Sequence, residues 1–209
     1  MNGNSMKKIA YANAVADDKV RRFVPPVRVV RESAGVSDSA ALLDGVHTQS
    51  FVHFNPRECV LPPGGEIILD FGLELHGLLT VTTGCMKLSR ARITFGESVS
   101  ETLGTPTQDH AIHQELLSLP QLGQVNFGQT AFRFVRLEIP ADAPEVRLIG
   151  VVATAIYRDW EYRGTFLSDD ERLNRIWEVG AYTVHPLHDI IHIKFRSSRD
   201  RNNFRLRQQ

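Results

Sequence analysis

The segment from Val146 to Tyr157, VRLIGVVATAIY, most constrains what this chain can fold into. It is long, apolar and β-branched, as suits a central strand of a sheet covered on both faces. Such a strand needs partners, and several other segments have the right pattern. Arg90, Arg92 and Thr94 alternate with Ala91, Ile93 and Phe95, the period of two of a strand with one buried and one wet face. Ala131 to Ile139 (AFRFVRLEI) alternates too, with Phe132, Phe134, Arg136 and Glu138 on one face and Arg133, Val135, Leu137 and Ile139 on the other. Its arginines leave the inward face open.

Ile67-Ile68-Leu69, closed by Asp70-Phe71-Gly72, and Leu78 to Thr83, bounded by Gly77 and Gly84, read as a pair of strands around a glycine turn. Val27 to Arg31 follows Pro25-Pro26, which an edge strand tolerates. Glu115 to Leu119 is a short strand, Pro140 to Pro144 a turn, Ser37 to Leu43 a helical turn, and Val99 to Gln114 a long loop. With turns between strands and no long helix among them, the expected fold is all-β, a jelly-roll-like two-sheet β-sandwich. A chain of 209 residues can bury a full core of this kind within one principal domain.

From Gly164 the period changes. Ser168-Asp169-Asp170-Glu171 reads as a capping box, with two acidic groups against the positive end of a helix dipole. Leu173, Ile176, Trp177, Gly180, Ala181 and Val184 then recur at spacings of three and four, one apolar stripe. An isolated sandwich has little use for such a helix, so it either packs on the sheet's flank or opens a further element.

Composition excludes several function classes. Charged residues make up 23% and the formal net charge is zero, so neither nucleic acid nor an anionic membrane is an expected partner. The start, MNGNSMKKIAYANAVADDKV, lacks the apolar core of a signal peptide because Asn13, Asp17 and Asp18 interrupt it, and no run approaches a membrane span. The chain as written is expected in the cytoplasm, or in the periplasm or outside the cell if a further N-terminal segment precedes it. Cys59 and Cys85 lack ligand spacing and are expected as buried free thiols, with pairing in an oxidising compartment as the alternative. No P-loop, dinucleotide fingerprint or G-x-S-x-G occurs, and no cofactor is expected.

Several stretches carry a family likeness, in order. They are Asp70-Phe71-Gly72-x-Glu74-x-x-Gly77, Arg92-Ile93-Thr94-Phe95-Gly96-Glu97-Ser98-Val99-Ser100-Glu101, Asp109-His110-Ala111, Phe132-Arg133-Phe134-Val135-Arg136, and Gly164-x-Phe166-x-Ser168-Asp169-Asp170-Glu171-Arg172-Leu173-Asn174-x-Ile176-Trp177. From about Val24 to His185 the chain resembles bacterial α-L-rhamnosidase-like proteins of glycoside hydrolase family 78. The resemblance implies a noncatalytic accessory sandwich leading into an (α/α)6 barrel, which carries the acid and base carboxylates and binds a terminal rhamnose. On that basis the expected organisation is a polar lead-in over 1–23, a β-sandwich accessory domain over 24–165, a helix at the start of the barrel over 166–193, and a basic divergent tail over 194–209. The partners implied are the barrel and a carbohydrate such as a rhamnoside; a freestanding carbohydrate-binding module is the alternative.

The likeness stops after Thr183-Val184-His185. Family members continue there into an acidic and aromatic stretch with Asp-Gly and Arg-Asp motifs, whereas this chain reads Pro186-Leu187-His188-Asp189-Ile190-Ile191, and Pro186 would break the helix. Only Arg199-Asp200-Arg201 is similar, within sixteen final residues that hold six Lys or Arg and one Asp. The break suggests a frameshifted or truncated reading, with a real divergent tail as the alternative. Inverting glycosidases need two carboxyl groups roughly 6.5–9.5 Å apart around the scissile bond. With no barrel to converge them, no catalytic residue is assigned and no glycosidase activity is expected; Asp200 reads as a solvated acid.

Four residues are candidates for substrate contact: Glu97, Asp109, His110 and Trp160. Glu97 follows a strand and a glycine, where a carboxylate meets sugar hydroxyls or calcium at a sandwich rim, or more plainly satisfies loop amides or an arginine such as Arg92 or Arg133. Asp109 and His110, with His113, have zinc-like chemistry but no fourth ligand, so no metal is assigned and the loop is read as facing the barrel, shaping its cleft or the domain interface. Trp160, with Tyr157 and Tyr162, offers an aromatic platform for a sugar ring, although its position between strand and helix favours packing between domains.

Overall fold

The computed structural model describes residues 19–43, 57–105, 113–158 and 164–184. In chain order the strands are β1 (Lys19–Val24), β2 (Arg28–Glu32), β3 (Cys59–Leu61), β4 (Glu66–Thr83), β5 (Ser89–Gly96), β6 (Gln114–Leu119), β7 (Gln124–Glu138) and β8 (Val146–Arg158). A short helix α1 (Val99–Leu103) follows β5, and helix α2 spans 171–184. Among the described residues, no helix is long and apolar enough to cross a membrane.

All pairings are antiparallel, and β8 is central as its sequence requires. It pairs with β4 on one side and with β1 and β3 on the other. The strands form one continuous hydrogen-bonded ladder, which β4 and β7 divide into two layers. The first half of β4 pairs with β2 and with the second half of β7, whose other neighbour is β5 and then β6. The second half of β4 pairs with β8 and with the first half of β7. Face-to-face packing joins the layers: the Phe95 ring of β5 stacks on Phe127 from the first half of β7, centroids 5.5 Å apart, and lies 4.7 Å from Phe132. Ile67, Leu69, Leu79, Val81, Ile93, Val135, Leu137 and Val151 fill the same core. The fold is the expected all-β sandwich.

The structure revises five local expectations. Ile67 to Thr83 is one bent strand rather than two strands around a turn. Gly72, at φ +86°, lies in a bulge: the β4–β7 register jumps between Asp70, opposite Phe134, and Leu75, opposite Phe132. A left-handed glycine serves a bulge as well as a turn, so the local sequence does not separate the two. The same jump resets the phase of β7, so Phe132 faces the core together with Val135 and Leu137, although strict alternation put it on the other face. Arg136 and Glu138 point outward and join a row of ion pairs, Arg31–Glu66, Arg136–Glu66, Arg136–Glu138 and Arg92–Glu138, across β2, β4, β7 and β5. That row settles which face of β7 is inward.

β1 begins at Lys19, inside the stretch read as a polar lead-in; its exposed Arg21 and Arg22 keep a sheet edge soluble, and charge there hides a strand from a hydropathy reading. α1 occupies the start of the stretch read as a loop. Ser98 caps it by accepting from the Glu101 amide, and the Glu101 carboxylate accepts from the Glu97 amide, a reciprocal cap in a segment otherwise rich in loop residues. For α2 the cap shifts by two residues. Asp170 accepts from the Arg172 amide at 2.8 Å, while Ser168 is tied to Asn174, whose side chain accepts from the Ser168 amide and donates to its carbonyl. Cys59 and Cys85 are free and buried, and burial pushes the Cys59 thiol up to about 12.

Candidate functional site

The bulge in β4 is held by a buried carboxylate. Asp70 is 1% exposed, and its two oxygens take a guanidinium fork from Arg133 at 2.9 and 3.0 Å, a third bond from Arg28 at 2.9 Å, and the Gly72 amide at 2.8 Å. The last of these closes an Asx turn that fits the left-handed glycine. Burial works against the charged form, but the bonds from Arg133, Gly72 and Arg28 together outweigh it and hold the Asp70 carboxyl below its usual range.

The bulge forms one wall of a cleft of about 540 Å³. Phe71, Leu73, Leu75 and His76 come from β4, Arg22 and Phe23 from β1, and Tyr157 from β8. Tyr182 of α2 closes the far side, its hydroxyl donating to the Glu74 carbonyl at 2.6 Å. Phe71 also reaches the core, edge to face with Phe132 at 5.6 Å. Gly77 fixes the depth of β4 against β8 beside this cleft, since a Cβ there would stand 1.9 Å from the Thr154 carbonyl oxygen.

The Glu74 side chain is not among those lining the cleft and instead belongs to an acidic group with Glu97 and Glu101. Burial first, then the charges of Glu97 and Glu101, push its carboxyl up. A carboxyl that holds its proton more tightly when folded favours the fold below the unfolded pKa, and that favour is lost as pH rises through the folded pKa. Glu74→Gln is therefore expected to be more stable than the parent at pH 7 by roughly 0.5 kcal/mol after solvent screening. Melting curves should show the gain shrinking as pH falls and gone below about pH 4, the ordinary glutamate range.

Glu97, a candidate from its sequence position, is exposed at the head of α1. The arginines expected to satisfy it are engaged elsewhere: Arg133 with Asp70, and Arg92 with Glu138. Asp109, His110 and Trp160 lie outside the described residues. Among the described residues, no group of three or more His, Cys, Asp or Glu is arranged to hold a metal ion. Asp70 and the cleft were not singled out by the sequence. The signal for Asp70 was an aspartate two residues before a glycine, common to any Asx turn, while its arginine partners stand 42 and 63 residues away.

The apolar stripe of α2 is largely uncovered by the sandwich. Leu173, Ile176 and Val184 are each about half exposed, and Trp177 meets Phe166 at a centroid distance of 6.4 Å. Packing on the sheet's flank, one of the two expectations for this helix, is therefore limited to contacts such as Tyr182 on β4.

No protein-family model matches the chain, and no curated protein does. Solved structures do. A rhamnosidase from Klebsiella oxytoca, solved with rhamnose bound, has a TM-score of 0.59 at 22% identity, covering 81% of this chain and 35% of its own. A GH78 family rhamnosidase of Bacillus sp. GL1 has 0.47 at 16%, covering 69% and 15%, and the CBM32 of AlyQ in complex with 4,5-unsaturated mannuronic acid has 0.46 at 12%, covering 63% and 97%. The Klebsiella likeness establishes a shared fold with a rhamnosidase region, and the chain spans about a third of that enzyme.

Proposed function

We propose that this chain is a noncatalytic accessory β-sandwich of an α-L-rhamnosidase-like glycoside hydrolase, supporting an (α/α)6 barrel and through it the barrel's carbohydrate substrate. The apolar stripe on α2 carries this reading. A helix that follows a sandwich and leaves Leu173, Ile176 and Val184 half exposed has the form of an element built to be covered by further chain. The shared fold with a rhamnosidase more than twice as long supports it. In this assignment the sandwich ends near residue 165 and the helix opens the barrel.

The purified protein is expected to release no rhamnose from an aryl rhamnoside, because among the described residues no carboxylate lines the cleft beside the β4 bulge, and glycosidic hydrolysis requires a pair. Measurable hydrolysis would overturn the assignment. A second reading, a freestanding carbohydrate-binding module, is favoured by the preformed cleft beside the β4 bulge. Calorimetric titration with free rhamnose separates the two: the scaffold takes up none, and a saturable isotherm would establish the module.

A further inference from the structure

We propose that the cleft between the β4 bulge, β1 and β8 is a binding site for an aryl group carrying an anionic or hydrogen-bond-accepting substituent. Its volume of about 540 Å³ suits a small ligand. Its walls are mainly ring and aliphatic carbon, from Phe23, Phe71, Leu73 and Tyr157, which favours a flat apolar body over a sugar whose hydroxyls would lose their water. Exposed Arg22 also lines the cleft, and its planar cation complements an oxyanion or nitro edge.

The site is built rather than incidental. The bulge that carries Phe71 and Leu73 departs from the ladder where a buried Asp70, two arginines and a left-handed glycine hold it. Bulges of this kind recur beside binding sites, where they re-aim side chains. Leu73 at 60% and Phe23 at 57% exposure would be covered by a ring lying between them and the deeper Phe71.

The probes are 4-nitrophenyl α-L-rhamnoside, 4-nitrophenyl β-D-glucoside and free rhamnose, titrated calorimetrically into the full chain. Both aryl glycosides are expected to bind alike, with Kd on the order of 1 mM, and free rhamnose not at all. Leu73→Lys and Phe23→Ser, both at exposed positions, are each expected to weaken aryl binding by about tenfold, the scale of a few buried methylenes. Ile176→Lys, on the separate apolar stripe of α2, should leave it unchanged. Absence of saturable aryl binding, binding that follows the sugar rather than the ring, or loss on Ile176→Lys alone would each overturn the proposal. The scaffold role is tested apart from it: hydrolysis of the rhamnoside would remove that role and leave the cleft, whereas failure of the glucoside to bind removes the cleft and leaves the role.

Discussion

Asp70→Ala is expected to lower the unfolding free energy by about 3 kcal/mol, near the lower end of what breaking a buried ion pair costs. The loss has two parts. Arg133 gives up a two-point charge-assisted pair and Arg28 a single one, while the Gly72 amide loses the acceptor that fixes its turn. Both arginines are already partly in water, at 38% and 61% exposure, so neither is left as a stranded buried charge. That keeps the figure from reaching the top of the range. Asp70→Asn keeps a turn acceptor and should lose about half as much. The pH dependence has a defined sign. Because the folded state depresses this carboxyl, its contribution is present above the unfolded pKa and is lost as pH falls through the folded one. Urea unfolding at pH 7 and at pH 3 should therefore show the gap between parent and Asp70→Asn narrowing in acid. An equal gap at both values would mean that Asp70 acts through packing rather than charge.

Gly77→Ala is expected to be as damaging, for a steric reason. The added methyl would stand 1.9 Å from the Thr154 carbonyl oxygen and 2.8 Å from its carbon, and neither atom can swing aside because both belong to the backbone of β8. The pair of strands must separate where Gly77 lies opposite Ala155, at the junction of the two layers. Overpacking ordinarily costs 1–3 kcal/mol, and a backbone obstacle in a central pair places this change at about 3. For a domain of this size the melting temperature should fall by about 10 °C. A variant melting within a degree or two of the parent would show that β4 and β8 are not so closely apposed.

Much of the fold was legible because strand periodicity is a local signal. Ala91, Ile93 and Phe95 are buried as their alternation requires, and Val146 to Tyr157 is flanked by strands on both sides as its apolar, β-branched run requires. The helix over 171–184 was legible for the same reason, from its stripe and acidic start. Its cap was misplaced because serine and aspartate both cap helices, and Asn174, folded back on Ser168, decided between them. The candidate site was less legible. Glu97 was chosen from its place after a strand, but the arginines it was expected to meet are held by acids that only the tertiary fold brings to them.

By itself, the sequence determined most of the strands, which faces of most of them are apolar, and that an amphipathic helix follows the sandwich. These properties depend on residues within a few positions of one another. Tertiary structure alone decided that Ile67 to Thr83 is one bent strand, that Phe132 falls on the core face, and that a cleft opens at the bend. Each depends on Asp70 meeting Arg28 and Arg133 across neighbouring strands, and spacing along a chain says nothing about which distant cation a buried carboxylate will find.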